Sequence, residues 1–508
     1  MIMRCLFLSI AIALSVPAAH AAAPATNAAG PATNASAIVV QDQTALRAAP
    51  RDSAQQQALL FQGEVVEVRG ARMDYLQVWD HQRERGGYIR ATQVRRTGTD
   101  GADAAELLGV LRFLRDTAGS EALGIGIAAA WIKAAPAEIL AGTAGTEALD
   151  ALGGFADRLA RRASSGGVQS KAAETALAAH LEVALRYGVN FVSFERLGRM
   201  QICYDGEAQH RVLALKATPE QQARAALALT RNECVDPAQK AHERYARDQW
   251  RAAVLDRVDT AELSGMWKNR VLMHRASIQA GLAYQAARRG EPAAPAAGRA
   301  LADLALVQRA ELTDEDQTSM NDSAMRVNAS RWAALPALAP APVGQSPVLL
   351  TQPGQPGETC VLLVGAAEAA RNDLRNPLLR RCTFGVVWAA SANANREGNA
   401  LALAVQPLDT WRELWVLRKD GSAWSVAVLP PAATLPETGY AEFAGWVPGG
   451  RQMLVAREAR GEGKYRKSFE VVDLQTLASE RQAGDPAVLG PFQRWQDAGW
   501  KRHSVSVR

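Results

Sequence analysis

The sequence predicts a multi-domain α+β chain: a small β-barrel at the front, an all-α helical-hairpin domain in the middle and an antiparallel β domain at the C-terminal end. Three observations carry this. Short strands with period-two alternation crowd residues 37–97, apolar residues recur every three or four positions over 103–335, and from 359 to 508 the pattern returns to runs such as CVLLV, ALALAVQ and SFEVVDL. At 508 residues the chain is too long for a single core.

Residues 1–21 read as a cleaved secretory signal: Arg4, the apolar stretch LFLSIAIALSV and Ala19-His20-Ala21 supply the basic start, the hydrophobic centre and the small-residue cleavage site. The stretch falls short of the roughly 20 residues that span a bilayer, and so does GIGIAAAWI at 124–132. The expected location is therefore periplasmic or secreted, with no membrane span after cleavage. Removing Arg4 takes the formal charge from +5 to about +4, spread along the chain, which argues against nucleic acid as a partner. The abundance of Ala and Arg is given no functional weight.

In an oxidising compartment the four cysteines beyond Cys5 are expected to pair locally, Cys203 with Cys234 and Cys360 with Cys382. A rival metal reading uses His210 and His242, which give a Cys, His, Cys, His order. Their separations lack the short clips of structural zinc sites, so no metal and no cofactor are expected.

Residues 22–36, AAPATNAAGPATNAS, read as a flexible linker. Then AIVV, ALLFQGEVVEV and YLQVW, broken at APRDS and RERGG, are packed so densely that they imply a small barrel over 37–97. The stretches TALRAAPRDSAQ, QGEVVEVRG, DYLQVW and GGYIRATQV resemble the bacterial SH3-like family, with Tyr75 and Tyr88 standing where that family usually carries Trp. The resemblance implies a binding module for peptidoglycan peptides or for envelope proteins. Alternation places Leu76 and Val78 inside and Tyr75, Gln77 and Trp79 outside. Tyr75, Trp79 and Tyr88 are accordingly the candidate ligand-binding residues; the competing reading has Trp79 packed against the next domain.

Across 103–335, Leu107, Leu108, Leu111 and Leu114 open a helical pattern, and start signals follow at Thr218-Pro219 with Gln221, at Asp236-Pro237, at Asp259 or Thr260, and at Thr313 with Asp316. About eight helices stacked as hairpins are expected. Residues 336–358 form a Pro-rich linker or an extended crossing strand. In the β-rich region 359–508 two units of about 55 residues repeat, with FGVVW at 384 parallel to FAGW at 443. The segment GWVPGGRQMLVARE resembles a blade signature of the periplasmic propeller of the Tol system, with Gly449 in place of its Asp. Two visible blades cannot close a propeller, so an open sheet or partial propeller is expected.

No hydrolase elbow, phosphate loop, zinc helix or haem-attachment motif occurs in the sequence. Gly124-Ile125-Gly126 lacks the third glycine of a dinucleotide loop and reads as helix packing. His242-Glu243 reads as a solvated helix face, and Asp314-Glu315-Asp316 as a helix start favoured by the dipole. No catalytic residue is assigned. The function expected is that of an exported, non-catalytic binding or scaffolding protein of the cell envelope. The alternative is a peptidoglycan hydrolase with its site in the helical domain, where Glu195 is the candidate general acid.

Overall fold

The computed structural model of the chain describes residues 35–98, 100–166, 170–196, 198–335, 347–432 and 437–504. The expected signal and most of the first linker lie outside these residues, as does 336–346 of the Pro-rich stretch. The protein is mixed α+β, with a β sheet first, a helical middle region and antiparallel-rich sheets last.

Strands β1 (Ala35–Val39), β2 (Thr44–Arg47), β3 (Gln56–Leu60), β4 (Val65–Arg72), β5 (Tyr75–Asp80), β6 (Arg85–Arg90) and β7 (Val94–Thr97) form one antiparallel sheet in the order β3-β2-β6-β5-β4-β1-β7. All seven strands contribute to one core that includes Val39, Leu46, Leu60, Val66, Leu76, Val78, Ile89 and Val94. The expected closed barrel is not formed: among the described residues β3 pairs only with β2, and β7 only with β1. Both edge strands are short, and a single pair, Arg47 with Tyr88, joins β2 to β6, so the register runs out before the edges meet. Side chains, not a hydrogen-bonded seam, wrap this core.

The middle region contains α1 (Gly101–Arg115), α2 (Glu121–Ala134), α3 (Ala137–Leu140), α4 (Thr143–Ser164), α5 (Lys171–Arg186), α6 (Glu207–Ala214), α7 (Pro219–Leu229), α8 (Ala241–Asp256), α9 (Gly265–Arg288), α10 (Ala294–Ala305) and α11 (Asp314–Ser330). Thr218 and Gln221 form the expected capping box on α7, and the Thr313 hydroxyl accepts from the Asp316 amide to start α11. Asp236 and Asp259 instead cap turns, accepting from Ala238 and Ala261, and the helices begin later, at Ala241 and Gly265. The region is not all-α. The short run FVSFER, rich in β-branched and aromatic residues, forms β8 (Phe191–Arg196) of a hairpin with β9 (Arg199–Tyr204). A run this short shows no period from which to tell strand from helix.

Gly63, at φ +84°, brings a turn of the first sheet so close to α2 that a Cβ there would lie 2.4 Å from the Ala122 carbonyl oxygen. Gly126 faces that turn and Gly124 faces the Phe155 ring, so both glycines serve helix packing. The Tyr187 hydroxyl donates to the Gly63 carbonyl at 2.9 Å, and His180 Nε2 lies 2.7 Å from Asp42.

The last region stacks a three-stranded sheet on an eight-stranded one. Strands β10 (Val348–Pro353), β11 (Thr359–Val364) and β12 (Leu379–Thr383) form the first, with the short helix α12 (Ala366–Ala370) between the last two strands. The second half of the Pro-rich stretch is thus a paired strand. Two four-stranded meanders follow: β13 (Val386–Ala394), β14 (Ala400–Leu408), β15 (Trp411–Asp420) and β16 (Ala423–Leu429), then β17 (Thr438–Val447), β18 (Gln452–Gly461), β19 (Lys464–Asp473) and β20 (Ser479–Ala483). A brief parallel contact of β15 with β17, Trp411 with Gly439 and Arg412 with Tyr440, joins the two meanders into one eight-stranded sheet in which β16 branches off β15. Continuous apolar runs follow from this stacking. In β14, Ala400 and Ala402 face the second meander while Leu401, Leu403 and Val405 face the three-stranded sheet. The stack does not close into a propeller. Its far face is covered by Met325 of α11 and by Phe492 and Trp500 of the short helices α13 (Gly490–Trp495) and α14 (Ala498–His503).

Candidate functional site

The cysteines pair as the local spacing implies. Cys203 of β9 is bonded to Cys234, and Cys360 to its cross-strand neighbour Cys382. These disulfides fit an extracellular or periplasmic protein. Among the described residues no helix is long and apolar enough to cross a membrane.

Tyr75, Trp79 and Tyr88 share the outer face of the first sheet, where Tyr88 is the cross-strand neighbour of Gln77. Tyr75 is buried, and Trp79 and Tyr88 are half-buried. Tyr75 is only 3% exposed: its hydroxyl donates to Asp52 at 2.6 Å, and Arg90, paired to the same carboxylate, lies over its ring. Trp79 is half-buried with the Arg69 guanidinium 4.4 Å from its ring centre. Arginine from the same sheet thus lies over the Tyr75 and Trp79 rings. Glu195 stands exposed on β8 and does not line the cavity described next.

That cavity lies where the helical region meets the stacked sheets and has a volume of about 1280 Å³. Its walls come from α4, α8, α9 and α11, from the segment after α7, and from the turn between β14 and β15. Eleven arginines, no lysine and ten carboxylates line it, so its net charge is close to balanced and pairing decides its character. Asp150 holds both Arg115 and Arg224, Asp157 holds Arg231, Asp248 holds Arg251, Asp316 holds Arg270 and Asp322 holds Arg460. Among the described residues Arg161, Arg196, Arg244 and Arg326 have no carboxylate partner. Arg196 donates to the Asn232 and Val235 carbonyls, and Arg244 to those of Pro237 and Gln239. The guanidinium of Arg326 makes no hydrogen bond among the described residues, and its Nε is buried without a partner. The Asp409 carboxylate, beside Gly281 of α9, likewise has no partner there.

Burial and neighbouring charge set the electrostatics. Burial, then the positive charges of Arg326 and Arg460, hold Arg196 below the usual guanidinium range. Burial pushes the Asp409 carboxyl up, Arg326 pulls against it, and Asp248 adds to the rise. His274 Nε2 donates to the Thr230 carbonyl, 2.6 Å away; burial, with Arg251 and Arg326, lowers it to about 4, which leaves it neutral near pH 7. The Cys203–Cys234 bond ties the hairpin that carries Arg196 to the segment that carries Arg231 and Glu233.

No family model, no curated protein and no solved structure matches the chain. The site therefore rests on its own geometry: preorganised guanidinium groups and a lone carboxyl around a water-sized space many times over, suited to hold a charged small molecule or chain end. Sequence reasoning missed it because its walls come from residues as far apart as Asp150 and Arg460.

Proposed function

We propose that this is an exported, non-catalytic binding protein of the bacterial cell envelope whose ligand carries negative charge and enters the arginine-lined cavity. One observation carries the reading: Arg326 faces a cavity of about 1280 Å³ and, among the described residues, its guanidinium makes no salt bridge or hydrogen bond. A guanidinium left partly desolvated and unpaired is unfavourable, and an incoming carboxylate or phosphate relieves that cost through charge-assisted hydrogen bonds. Arginine in place of lysine throughout the lining fits planar, two-point recognition of such groups. The first sheet, SH3-like in sequence, remains a second contact surface for the wall or for a protein partner.

The test is retention of soluble peptidoglycan fragments on the immobilised full chain. Arg326→Gln is expected to weaken retention at least tenfold and Trp79→Ala to leave it within twofold. The reverse pattern would move the ligand to the first sheet. Asp409 favours a second reading, because a buried carboxyl raised above its usual range is suited to act as a general acid. If the chain is the alternative peptidoglycan hydrolase, the group at work is then Asp409 in place of Glu195. Lysis of peptidoglycan in a gel by wild type, abolished in Asp409→Asn, would establish it; we expect no lysis.

A further inference from the structure

We infer that the ligand of this cavity is amphoteric: its anionic group docks on Arg326 and Arg196, and a primary ammonium on the same molecule docks on Asp409. The chemical class is a peptide fragment with a free carboxylate and a free amine. This inference rests on the cavity being the ligand site.

Arg326 and Asp409 line one cavity and attract each other across it, yet among the described residues neither side chain makes a salt bridge or a hydrogen bond, with each other or with any other group. Flexible side chains of opposite charge left unpaired in one enclosure ordinarily move together, since the attraction grows as the dielectric falls. Here both backbones are held. Arg326 belongs to α11, whose Met325 is locked in the core of the second meander and whose Asn328 donates to Glu442 at 3.1 Å. The Asp409 turn is fixed by Gln406, which donates to the Asp409 carbonyl at 2.8 Å, and by Tyr284, which donates to the Pro407 carbonyl at 3.0 Å. The backbones that carry the two charges are therefore held in place, and a molecule with both signs can bridge them.

The neighbours narrow the choice. Asp248 is already held by Arg251 and Gln285, both at 2.7 Å, and Arg244 by backbone carbonyls; Arg161 and Asp116, which also lack a salt bridge among the described residues, are solvent-exposed, so Asp409 and Arg326 are the half-buried pair left without a contact. A simple polyanion would satisfy Arg196 and Arg326 but would bring negative charge against Asp409 and Asp248. A simple cation would meet the opposite difficulty. The upward push that burial exerts on the Asp409 carboxyl is relieved when an ammonium arrives beside it.

The experiment uses soluble peptidoglycan fragments released by a muramidase, in three pools: untreated, acetylated at amines, and amidated at carboxylates. Each is passed over the immobilised full chain and the retained fraction is measured by mass spectrometry. Acetylation and amidation are each expected to lower retention at least tenfold. Asp409→Asn should make the chain indifferent to acetylation, and Arg326→Gln indifferent to amidation, within twofold. Equal retention of the acetylated and untreated pools, with Arg326→Gln still impaired, overturns the amphoteric ligand and leaves the cavity as the site. Failure of the wild type to retain the untreated pool overturns both. The comparison of pools on wild type needs no variant to fold.

Discussion

Arg326 and Arg331 stand five residues apart where α11 runs onto the second meander, and they meet opposite fates. Arg331 is 1% exposed and paired with Glu442, which also lies 3.5 Å from the fully buried Arg412 and accepts from Asn328. Arg326 faces an open cavity and, among the described residues, makes no salt bridge or hydrogen bond through its guanidinium. The residue type is the same; the partner set differs. A charge answered inside the protein belongs to its stability, and one left unanswered in a cavity belongs to its ligand.

The largest effect expected from that contrast is at Glu442. Burial works to raise this carboxyl, and Arg331 and Arg412 outweigh it, holding it below the usual range; Arg412 in turn is lowered to about 10, chiefly by burial. Glu442→Gln leaves two buried guanidiniums without a counter-charge and should cost about 3–5 kcal/mol in urea unfolding. Removing the Cys203–Cys234 bond should cost about 3–4 kcal/mol on the chain-entropy account, for a sequence separation of 31. Because this bond tethers the Arg196 hairpin, the Cys203→Ser, Cys234→Ser double variant should also weaken fragment retention, which a purely global loss of stability would not do below the melting temperature.

A third effect depends on pH. His274 is lowered from 6.5 to about 4 in the folded chain, so between those values the unfolded chain takes up the proton first. Its contribution is intact above about pH 6.5 and is lost as pH falls toward 4, amounting to no more than about 3 kcal/mol. His274→Asn should flatten the pH dependence of unfolding in that window; a slope unchanged from wild type would show that His274 titrates normally.

Much of the fold was legible because it is written in local patterns. Leu76 and Val78 alternate into the first core, Thr218 and Gln221 mark a helix start, and ALALAV reads as a strand covered on both faces. The β8–β9 hairpin was hidden by its brevity, and the open edges of the first sheet depend on how far the β2–β6 register extends, which no residue pattern states. The burial of Tyr75 was not legible either, because Asp52, which accepts from its hydroxyl, lies 23 residues earlier in the chain. One signal toward the contact of α11 with the second meander was present. Met320, Ala324 and Val327 set an apolar stripe on α11, and Arg331 falls on its next position. A charge on such a stripe demands a buried partner. Arg326 stands off the stripe and looks like any solvated helix arginine, so the cavity emerged only from the tertiary structure.

The most direct measurement sets Arg326→Gln beside Arg331→Gln, scoring urea unfolding and fragment retention on the same preparations. The account predicts that Arg326→Gln keeps stability within about 1 kcal/mol, as expected for a side chain without a protein partner, and loses retention at least tenfold. Arg331→Gln should show large destabilisation with retention per folded molecule preserved. An Arg326→Gln chain that unfolds readily yet binds as wild type would contradict it.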